Sequence, residues 1–597
     1  MRVTRASERR SNAIKPGQPA SGARFKAYNA LLIASGRTTR PRSTRPGRLS
    51  SPLHGILPLS QDDAEEATSS PAQSTSIATP ELGRVMQSQP SPPGPATLGQ
   101  LHLSSQIPNS FRAFSGLPFF SSQGQQWIGD RTGQHVDLYR FYCYGPPWQS
   151  QRVARTEDMY AYFRAHDHLD LPHPNLLHEY LHKFRTSYRR VMFPVIELEG
   201  FQYTIQAAYE HKTTHYSPDI HGARACIFAF MAFMAIPERQ STMAEQYTYE
   251  AMFLVPGILQ GMASIDAVQT LLTLTCSRLF LYGDAFSVDI MLSAAARFLF
   301  NLGGNIPTRT TSLFALRCRT LFWTIYTIDK ELCFRTGRPP SLCDDQCDLT
   351  LPDETEYANQ VGYGILPKPG PDHLHIAFPT DLRIAIIKSR IYTRLWSVPA
   401  QFKSDAELLQ TIRELDVAVE EWKVHLPTVE DPVVLNPEMA DDFDMRHRFW
   451  LLNFQYQYCV AAIHQTTTGC AAWIRDENQQ LPGITSSLAV AVAASRSLLD
   501  ILMDRRFSLE MGSFWFDSFY IISGVITLFC NILKNPLAPT VGNDISYFHM
   551  IARRIEEIRD PAEFQADRGR TREFVVELCR LAECAVHFAH QYGSESP

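Results

Sequence analysis

The sequence predicts an all-α protein in which a large multi-helix domain follows a disordered N-terminal arm. Three observations support this prediction: apolar residues recur at helical spacing, Pro or Gly separates the periodic segments, and alternating strand patterns are nearly absent. We place the boundary at residue 125, so that residues 1–125 form the arm and residues 126–597 form the helical domain.

The arm changes composition along its length. Residues 1–60 are rich in arginine with the single acid Glu8, whereas residues 61–125 are rich in Ser, Pro, Gln, Thr and Gly. Such a composition buries too little apolar surface to offset the entropy of ordering the chain. The basic part suits nonspecific DNA contacts or a nuclear-import signal, and it is also typical of a mitochondrial presequence or a plain solvated tail. The arginines concerned are Arg40, Arg42, Arg45 and Arg48.

The helical segments follow one another after the arm, and each carries an apolar stripe. Helix-ending residues such as Pro172, Pro237, Pro352 and Pro427 stand between them. The predicted helices are 174–190, 223–236, 243–263, 266–282, 286–302, 312–333, 380–396, 404–425, 444–467, 484–504, 513–534, 544–558 and 571–591.

The overall composition is that of an ordinary globular protein, with 597 residues, 44% hydrophobic residues and a net charge of −5. The twelve cysteines are scattered from Cys143 to Cys584, a distribution that indicates reduced and mostly buried thiols. The apolar runs 226–236 and 522–533 are shorter than the roughly 20 residues of a membrane-spanning helix. We therefore expect both runs to be core helices and expect no membrane partner.

Residues 317–352 form the most informative segment of the chain. A helix with bulky apolar residues, interleaved with charged ones, runs into Gly337-Arg338-Pro339-Pro340, where glycine permits a turn and proline cannot continue a helix. Spaced aspartates then precede Leu351-Pro352.

This order of parts resembles the signature of the fungal-specific transcription factor domain, the regulatory middle region of fungal zinc-cluster activators. The resemblance covers about residues 125–590, from Trp127-Ile128-Gly129-Asp130 to the segment 531–539, with its core at 264–352. One departure is Leu302-Gly303-Gly304-Asn305, where the family usually ends a helix with Leu-Gly-Leu-His. The signature residues are Arg319, Phe322, Trp323, Asp329, Gly337, Arg338, Pro339, Asp344 and Asp348.

The resemblance implies a nuclear regulator of RNA polymerase II transcription. As partners it implies DNA, the transcription machinery, a homodimer or a paralogue, and a small-molecule effector. DNA and zinc binding would belong to an N-terminal six-cysteine cluster, but no cysteine precedes Cys143. Two interpretations stay open: the protein acts without that module, for example as a co-regulator of an intact paralogue, or a cysteine-rich segment is encoded upstream of Met1. We expect no cofactor or metal in the chain itself.

A magnesium-dependent isoprenoid synthase is a distant alternative, suggested by Asp344-Asp345-Gln346-Cys347-Asp348. Aspartates at this spacing on a helix can bind the magnesium ions that hold a diphosphate. The motif stands between prolines, which places it in a loop, and no second metal motif accompanies it. We expect these aspartates to stabilise and solvate the loop.

A zinc protease is the second enzyme alternative, suggested by His178-Glu179-Tyr180-Leu181-His182 on the predicted 174–190 helix. A third ligand cannot be placed, and Arg185 and Arg189 continue the same face with opposing charge. We expect an ordinary helix here, and no enzyme activity.

Two further expectations concern residues around the signature. Arg338 is expected to be structural, through a bridge to Asp329 or to the Asp344–Asp348 loop. Trp323, Phe322, Tyr326 and Phe334 are expected in the core, with a ligand pocket between helices as the alternative.

Overall fold

A computed structural model describes residues 122–592 of the protein, with several gaps. The gaps are residues 143–144, 155–160, 165, 239, 308–311, 353–377, 425–442, 473–481, 505–506, 508, 510–512 and 560–561. Within the described ranges the secondary structure is helical and contains no β-strand, which confirms the all-α prediction. The arginines Arg40, Arg42, Arg45 and Arg48 and the rest of the arm to residue 121 lie outside the described residues.

The helices follow in chain order. The first group is α1 (Ser122–Thr132), α2 (Tyr139–Tyr142), α3 (Pro174–Thr186), α4 (Arg189–Met192), α5 (Leu198–Glu210), α6 (Ile220–Ala235), α7 (Ser241–Gln260), α8 (Ile265–Tyr282), α9 (Ser287–Asn301) and α10 (Leu313–Thr336). The second group is α11 (Leu382–Ile391), α12 (Asp405–Lys423), α13 (Phe443–Gln465), α14 (Pro482–Asp500), α15 (Phe514–Lys534), α16 (Val541–Glu557) and α17 (Ala562–Tyr592).

The observed helices differ from the predicted ones in several places, beginning with α1 and α2, which were not predicted. The predicted helix 174–190 ends at Thr186, and the short α4 follows it. Helix α5 was not predicted, because its buried stripe includes the small residues Thr204, Ala207 and Ala208, which give a weak apolar signal. Its start is fixed by Glu197, whose side chain accepts hydrogen bonds from two backbone N–H groups of the first turn. The C-terminal helix α17 begins before residue 571, at Ala562.

The centre of the molecule consists of helices that are buried on nearly all sides. Almost every residue of α6, α8 and α15 is inaccessible to solvent. Helix α6 packs against α5, α7 and α8, while α15 packs against α8, α14 and α17. A helix that is apolar all round belongs in the interior of a large protein, and the apolar runs 226–236 and 522–533 lie in α6 and α15.

Two described helices have the length and composition of a membrane span. They are Pro482–Met503 and Phe514–Lys534; 39% of the first and 94% of the second is buried inside the protein, measured over the most apolar window of each. The second therefore has the packing of a core helix.

Helix α17 is tied to α2 and to the chain segment that follows it. The guanidinium of Arg570 donates hydrogen bonds to the carbonyls of Phe141, Gly145, Pro146 and Gln149 at 2.5–3.2 Å. Asp567 accepts from the hydroxyl of Ser150 and, at 2.9 Å, from the N–H of Gln151. The first and last described helical regions are thus joined by buried polar contacts.

Candidate functional site

Helix α10, which carries the signature residues, is buried along almost its whole length. Residues from Arg317 to Thr336 are buried or half-buried, and the charged ones are included. The aromatic side chains of Phe322, Trp323, Tyr326 and Phe334 are at most 1% exposed, so they form core. The helix ends at Gly337, which has a left-handed φ of 67° and donates its N–H to the carbonyl of Cys333.

The carboxylate of Asp329 holds the loop that follows the two prolines. It accepts hydrogen bonds from the N–H groups of Ser341 at 2.7 Å and Leu342 at 3.2 Å. Lys330, with 0% exposure, lies 3.1 Å from Asp329 and donates to the carbonyl of Leu342. Because both charges are buried and hydrogen-bonded, the loop is fixed against α10.

The loop aspartates form contacts with α10 rather than one common site. Asp344 accepts from the hydroxyl of Tyr326 at 3.0 Å and lies 3.6 Å from the ammonium of Lys330. Asp348 lies 3.8 Å from Arg319, and Asp345 is exposed. The only helical structure here is one 3₁₀ turn, Asp344–Gln346. Two of the three aspartates thus already face a cation or a hydroxyl donor of the protein.

Arg319 connects the end of α9, the loop and α10. Its guanidinium donates to the carbonyls of Gly304 at 3.1 Å and Asp348 at 2.9 Å. It also lies 4.5 Å from the ring centroid of Phe322, which is the geometry of a cation–π contact. Burial lowers the pKa of this arginine, although the charge of Asp348 opposes that effect.

Arg338 does not make the bridge that the sequence suggested. It contacts Asp289 of α9 at 3.5 Å and lies 5.0 Å from the ring of Phe286, instead of pairing with Asp329 or the Asp344–Asp348 loop. The expected partners already have other contacts. Asp329 is occupied by Lys330 and the loop N–H groups, Asp344 contacts Lys330, and Asp348 contacts Arg319. Pro339 beside it is exposed.

A buried ionic network connects α10 to α11 and α15. Glu331 contacts Arg335 and Lys388, each at 2.6 Å, and accepts a hydrogen bond from Tyr520. Burial alone would raise the pKa of Glu331, but the charges of Lys388 and Arg335 outweigh it and lower this pKa to about 2. Arg335 also donates to the carbonyl of Phe516 and lies over its ring at 4.0 Å. The network sits where three helices meet, so it couples their positions.

The histidines of the 178–182 motif do not form a metal site. His178, Glu179 and His182 are exposed on α3; Nδ1 of His178 donates to the carbonyl of Pro174, and Glu179 pairs with Lys183 at 3.1 Å. The expectation that Arg189 continues this face is wrong, because Arg189 is buried on α4 and donates to the carbonyl of Phe233. Across the described part of the chain, these residues belong to no group that could hold a metal ion.

A cleft of about 580 Å³ lies beside α6 and α7. Its walls are largely apolar, and its polar groups are imidazoles, two carboxylates, the hydroxyl of Thr213 and the guanidinium of Arg224. At one side Glu250, 3% exposed, accepts hydrogen bonds from His168 at 3.0 Å and from the N–H of Leu169 at 2.8 Å. Residues that line the cleft include His168, His211, His221, Arg224 and Phe253. The sequence analysis missed this cleft, since its residues are far apart along the chain and share no motif.

A smaller cavity of about 140 Å³ lies at the start of α8 and α10. Asp266 forms part of its lining and accepts hydrogen bonds from Thr204, at 2.7 Å, and from Ser217. Burial raises the pKa of Asp266 to about 6, although those hydrogen bonds oppose it. Arg317 lines the same cavity and donates to the side chain of Gln269.

Comparison with known proteins identifies the central region. The sequence profile of the fungal-specific transcription factor domain matches residues 162–423. The chain is similar to an ABC-transporter-regulating transcription factor of Aspergillus oryzae, with 26% identity over 476 residues, covering 73% of this chain and 50% of the relative. The corresponding protein of Aspergillus fumigatus is 25% identical over 474 residues, with the same two shares. The Fusaridione A cluster transcription factor fsdR of Fusarium heterosporum is 21% identical over 382 residues, covering 60% of this chain and 68% of the relative.

The chain spans about half the length of the two Aspergillus relatives. No solved structure matches it. The matched region 162–423 contains α3 to α12, including the signature helix α10, its loop and both cavities. Residues 162–423 of the chain therefore match the fungal-specific transcription factor domain, and the similar proteins are fungal transcription factors.

Proposed function

We propose that the protein is a nuclear regulator of RNA polymerase II transcription, and not an enzyme. The observation that carries this proposal is the match of residues 162–423 to the fungal-specific transcription factor domain, together with relatives that are named as transcription factors. In this proposal the helical body is the regulatory part. Contact with promoters comes from a DNA-binding partner, such as a paralogue, from the arginine-rich arm, or from a zinc cluster outside this sequence.

Genes of ABC transporters are the proposed targets. The support comes from the two Aspergillus relatives, both of which are named ABC-transporter-regulating transcription factors. The test is to delete the gene in its host and measure transporter transcripts, while a tagged copy is mapped on chromatin. Altered transcripts with promoter occupancy support the proposal, whereas unchanged transcripts and no nuclear signal contradict it.

Direct and indirect promoter contact are separated by binding measurements with the purified chain. If Arg40, Arg42, Arg45 and Arg48 contact phosphates, affinity for DNA falls steeply with salt and shows little sequence preference. Replacing the four arginines by glutamine would then abolish binding in vitro. If the purified chain binds no DNA while occupying promoters in the cell, it acts as a co-regulator through another protein.

The 580 Å³ cleft is the proposed effector site. Its volume lies within the usual range for small-molecule sites, and its apolar walls with a few polar groups have the usual character of such sites. The apolar walls favour a largely apolar molecule, and Arg224 is the lining group that can pair with an anionic substituent, since Asp219 and Glu250 would repel one. The effector would act by changing the packing of α6 and α7, which are part of the central core.

Binding of anilinonaphthalene sulfonate tests the cleft, because this probe combines an apolar ring system with an anionic group. We expect saturable binding that Phe253→Glu abolishes; Phe253 is 50% exposed, so the variant should fold. The matched control is Phe402→Glu, at an 84% exposed phenylalanine outside the cleft. Equal binding by both variants would contradict the proposed site.

A further inference from the structure

Helices α16 and α17 bring together three side chains that are typical zinc ligands. Nε2 of His549 on α16 lies 3.5 Å from Sγ of Cys579 and 3.3 Å from Oε1 of Glu583, both on α17. The distance from Sγ of Cys579 to Oε1 of Glu583 is 3.9 Å. Cys579 and Glu583 are four residues apart, which places them on one face of the helix.

These separations fit a tetrahedral metal site. Zinc bonds of about 2.3 Å to sulfur and about 2.0–2.1 Å to nitrogen or oxygen imply ligand separations of about 3.5 Å for S···N and S···O and about 3.4 Å for N···O. Two of the three observed separations agree closely, and the third requires a shift of a few tenths of an ångström in the flexible Glu583 side chain. All three potential ligand atoms lie within 4.8 Å of one another.

The surroundings of the three groups also favour a cation. Among the described residues, Glu583 forms an ion pair with His549. When the imidazole of His549 is neutral, this pair leaves the negative charge of Glu583 without a counter-charge. The nearby Arg580 is directed to Glu577, with which it makes two hydrogen bonds.

We propose that His549, Cys579 and Glu583 bind one zinc ion, with the fourth position open to solvent. A combination of thiolate, imidazole and carboxylate suits zinc among the common divalent ions. The side chains of His549 and Glu583 are 66% and 52% exposed, which leaves room for a water molecule as fourth ligand. As the bond from zinc to sulfur forms, the S–H bond of Cys579 breaks and its proton passes to solvent. The ion would clamp α16 to α17 and is independent of any zinc cluster at the N-terminus.

The test uses the full chain without an affinity tag, stripped with a chelator and then titrated with zinc. We expect one equivalent bound per chain and a higher melting temperature with zinc present. Cobalt in place of zinc should give the near-ultraviolet charge-transfer band that requires a thiolate ligand. Removing a group that only hydrogen-bonds to a metal ligand often lowers the metal affinity about 10–100-fold. Because Cys579 and Glu583 are ligands themselves, Cys579→Ser and Glu583→Gln should each weaken zinc binding at least about tenfold.

His587→Gln is the matched control, because it removes an exposed imidazole from the same helix outside the ligand set. This variant should bind zinc and cobalt as the unchanged protein does. If the buried Cys579→Ser variant fails to fold, Glu583→Gln still tests the site, since Glu583 is half exposed. The proposal is overturned if the unchanged protein binds no zinc, or if Glu583→Gln and His587→Gln bind zinc equally and cobalt gives no thiolate band, the result of adventitious surface binding.

Discussion

At the scale of single residues, we expect Glu331 to contribute strongly to the stability of the fold. It is the carboxylate that two buried cations, Arg335 and Lys388, share. Glu331→Gln would leave both cations without a counter-charge in the interior. We expect a loss of about 3–5 kcal/mol in the free energy of unfolding, the usual effect of breaking a buried ion pair.

Chemical denaturation of the two proteins measures this loss. The matched control is Glu414→Gln, the same substitution in the exposed ion pair with Arg394. Exposed pairs contribute little, so the control should unfold at the same denaturant concentration as the unchanged protein. A Glu331→Gln variant as stable as the control would show that the network does not stabilise the fold.

The ionisation of Asp266 makes the folded protein less stable as the pH rises, which is the opposite of the effect of a carboxylate whose pKa is lowered by folding. Its pKa is raised from 3.8 to about 6 in the folded protein, so between these values the folded state holds the proton more tightly than the unfolded state. Stability from this group therefore falls as pH rises from about 4 to 6, by roughly 3 kcal/mol in total.

Asp266→Asn isolates this contribution, because asparagine cannot ionise and keeps an oxygen that can accept a hydrogen bond from Thr204 or Ser217. The stability of the unchanged protein, relative to the variant, should decrease over this pH range and stay constant above about pH 7. Unfolding free energies measured at several pH values give the difference. A difference that does not change with pH would contradict the raised pKa.

Residue contacts of this kind are only partly predictable from sequence. The position of Gly337 at a helix end follows from the turn chemistry of glycine and the prolines behind it. The partner of Arg338 does not follow, because several carboxylates lie within reach along the chain and Asp329 is already occupied. In the proposed zinc site His549 lies 30 residues before Cys579 and on a different helix, so the three ligands form no recognisable sequence motif.

At the scale of elements, two helices are followed by a left-handed glycine, but the surroundings of the two glycines differ. Helix α8 ends at Gly283 with φ 65°, and Gly303, with φ 76°, follows the end of α9. An added Cβ at Gly283 would lie 2.9 Å from the carbonyl oxygen of Trp515 and 3.2 Å from that of Trp148, whereas one at Gly303 would meet nothing closer than 3.7 Å. Gly303→Ala should cost the left-handed strain of about 1–2 kcal/mol, whereas Gly283→Ala should cost about 1–3 kcal/mol more through overpacking.

Thermal unfolding of the two alanine variants decides this comparison, since the backbone strain is common to both. The control is Gly542→Ala, where the added Cβ meets nothing within 4 Å and α16 would gain a better helix former. Equal melting temperatures for Gly283→Ala and Gly303→Ala would show that α8 and α15 can move apart at this point.

The sequence predicts the position of a helix where apolar residues recur clearly at helical spacing. It does not predict which polar residues are buried. Segments such as 266–282 and 513–534 match α8 and α15 closely, because bulky residues recur at helical spacing. The charged residues of α10 read as polar positions in the sequence, yet Lys330 and Arg335 are buried. Lys330 donates a hydrogen bond to the carbonyl of Leu342, and Arg335 donates one to the carbonyl of Phe516. Local sequence patterns carry no information on contacts with residues so far along the chain.

At the scale of the whole molecule, the matched region 162–423 depends on a helix outside it for contacts with its buried residues. Its central helix α10 relies on Tyr520 and Phe516 of α15, and α15 also packs against α8. In a fragment that ends at residue 423, α8 and α10 would lose their contacts with α15. The cations around Glu331 would also lose the aromatic side chains of α15 that exclude water from them.

We therefore expect residues 162–423 alone to aggregate or to form a loosely packed state, and residues 122–592 to unfold cooperatively. The longer segment retains α15 and the contacts of Arg570 that join α17 to the segment after α2. Near-ultraviolet circular dichroism, which reports fixed aromatic packing, and dye binding, which reports exposed apolar surface, distinguish the two states. A soluble 162–423 fragment with sharp cooperative unfolding would mean that the family domain folds independently of its C-terminal helices. If the expectation holds, a signal that alters α16 and α17 can reach the signature helix through α15, because all of these helices share one core.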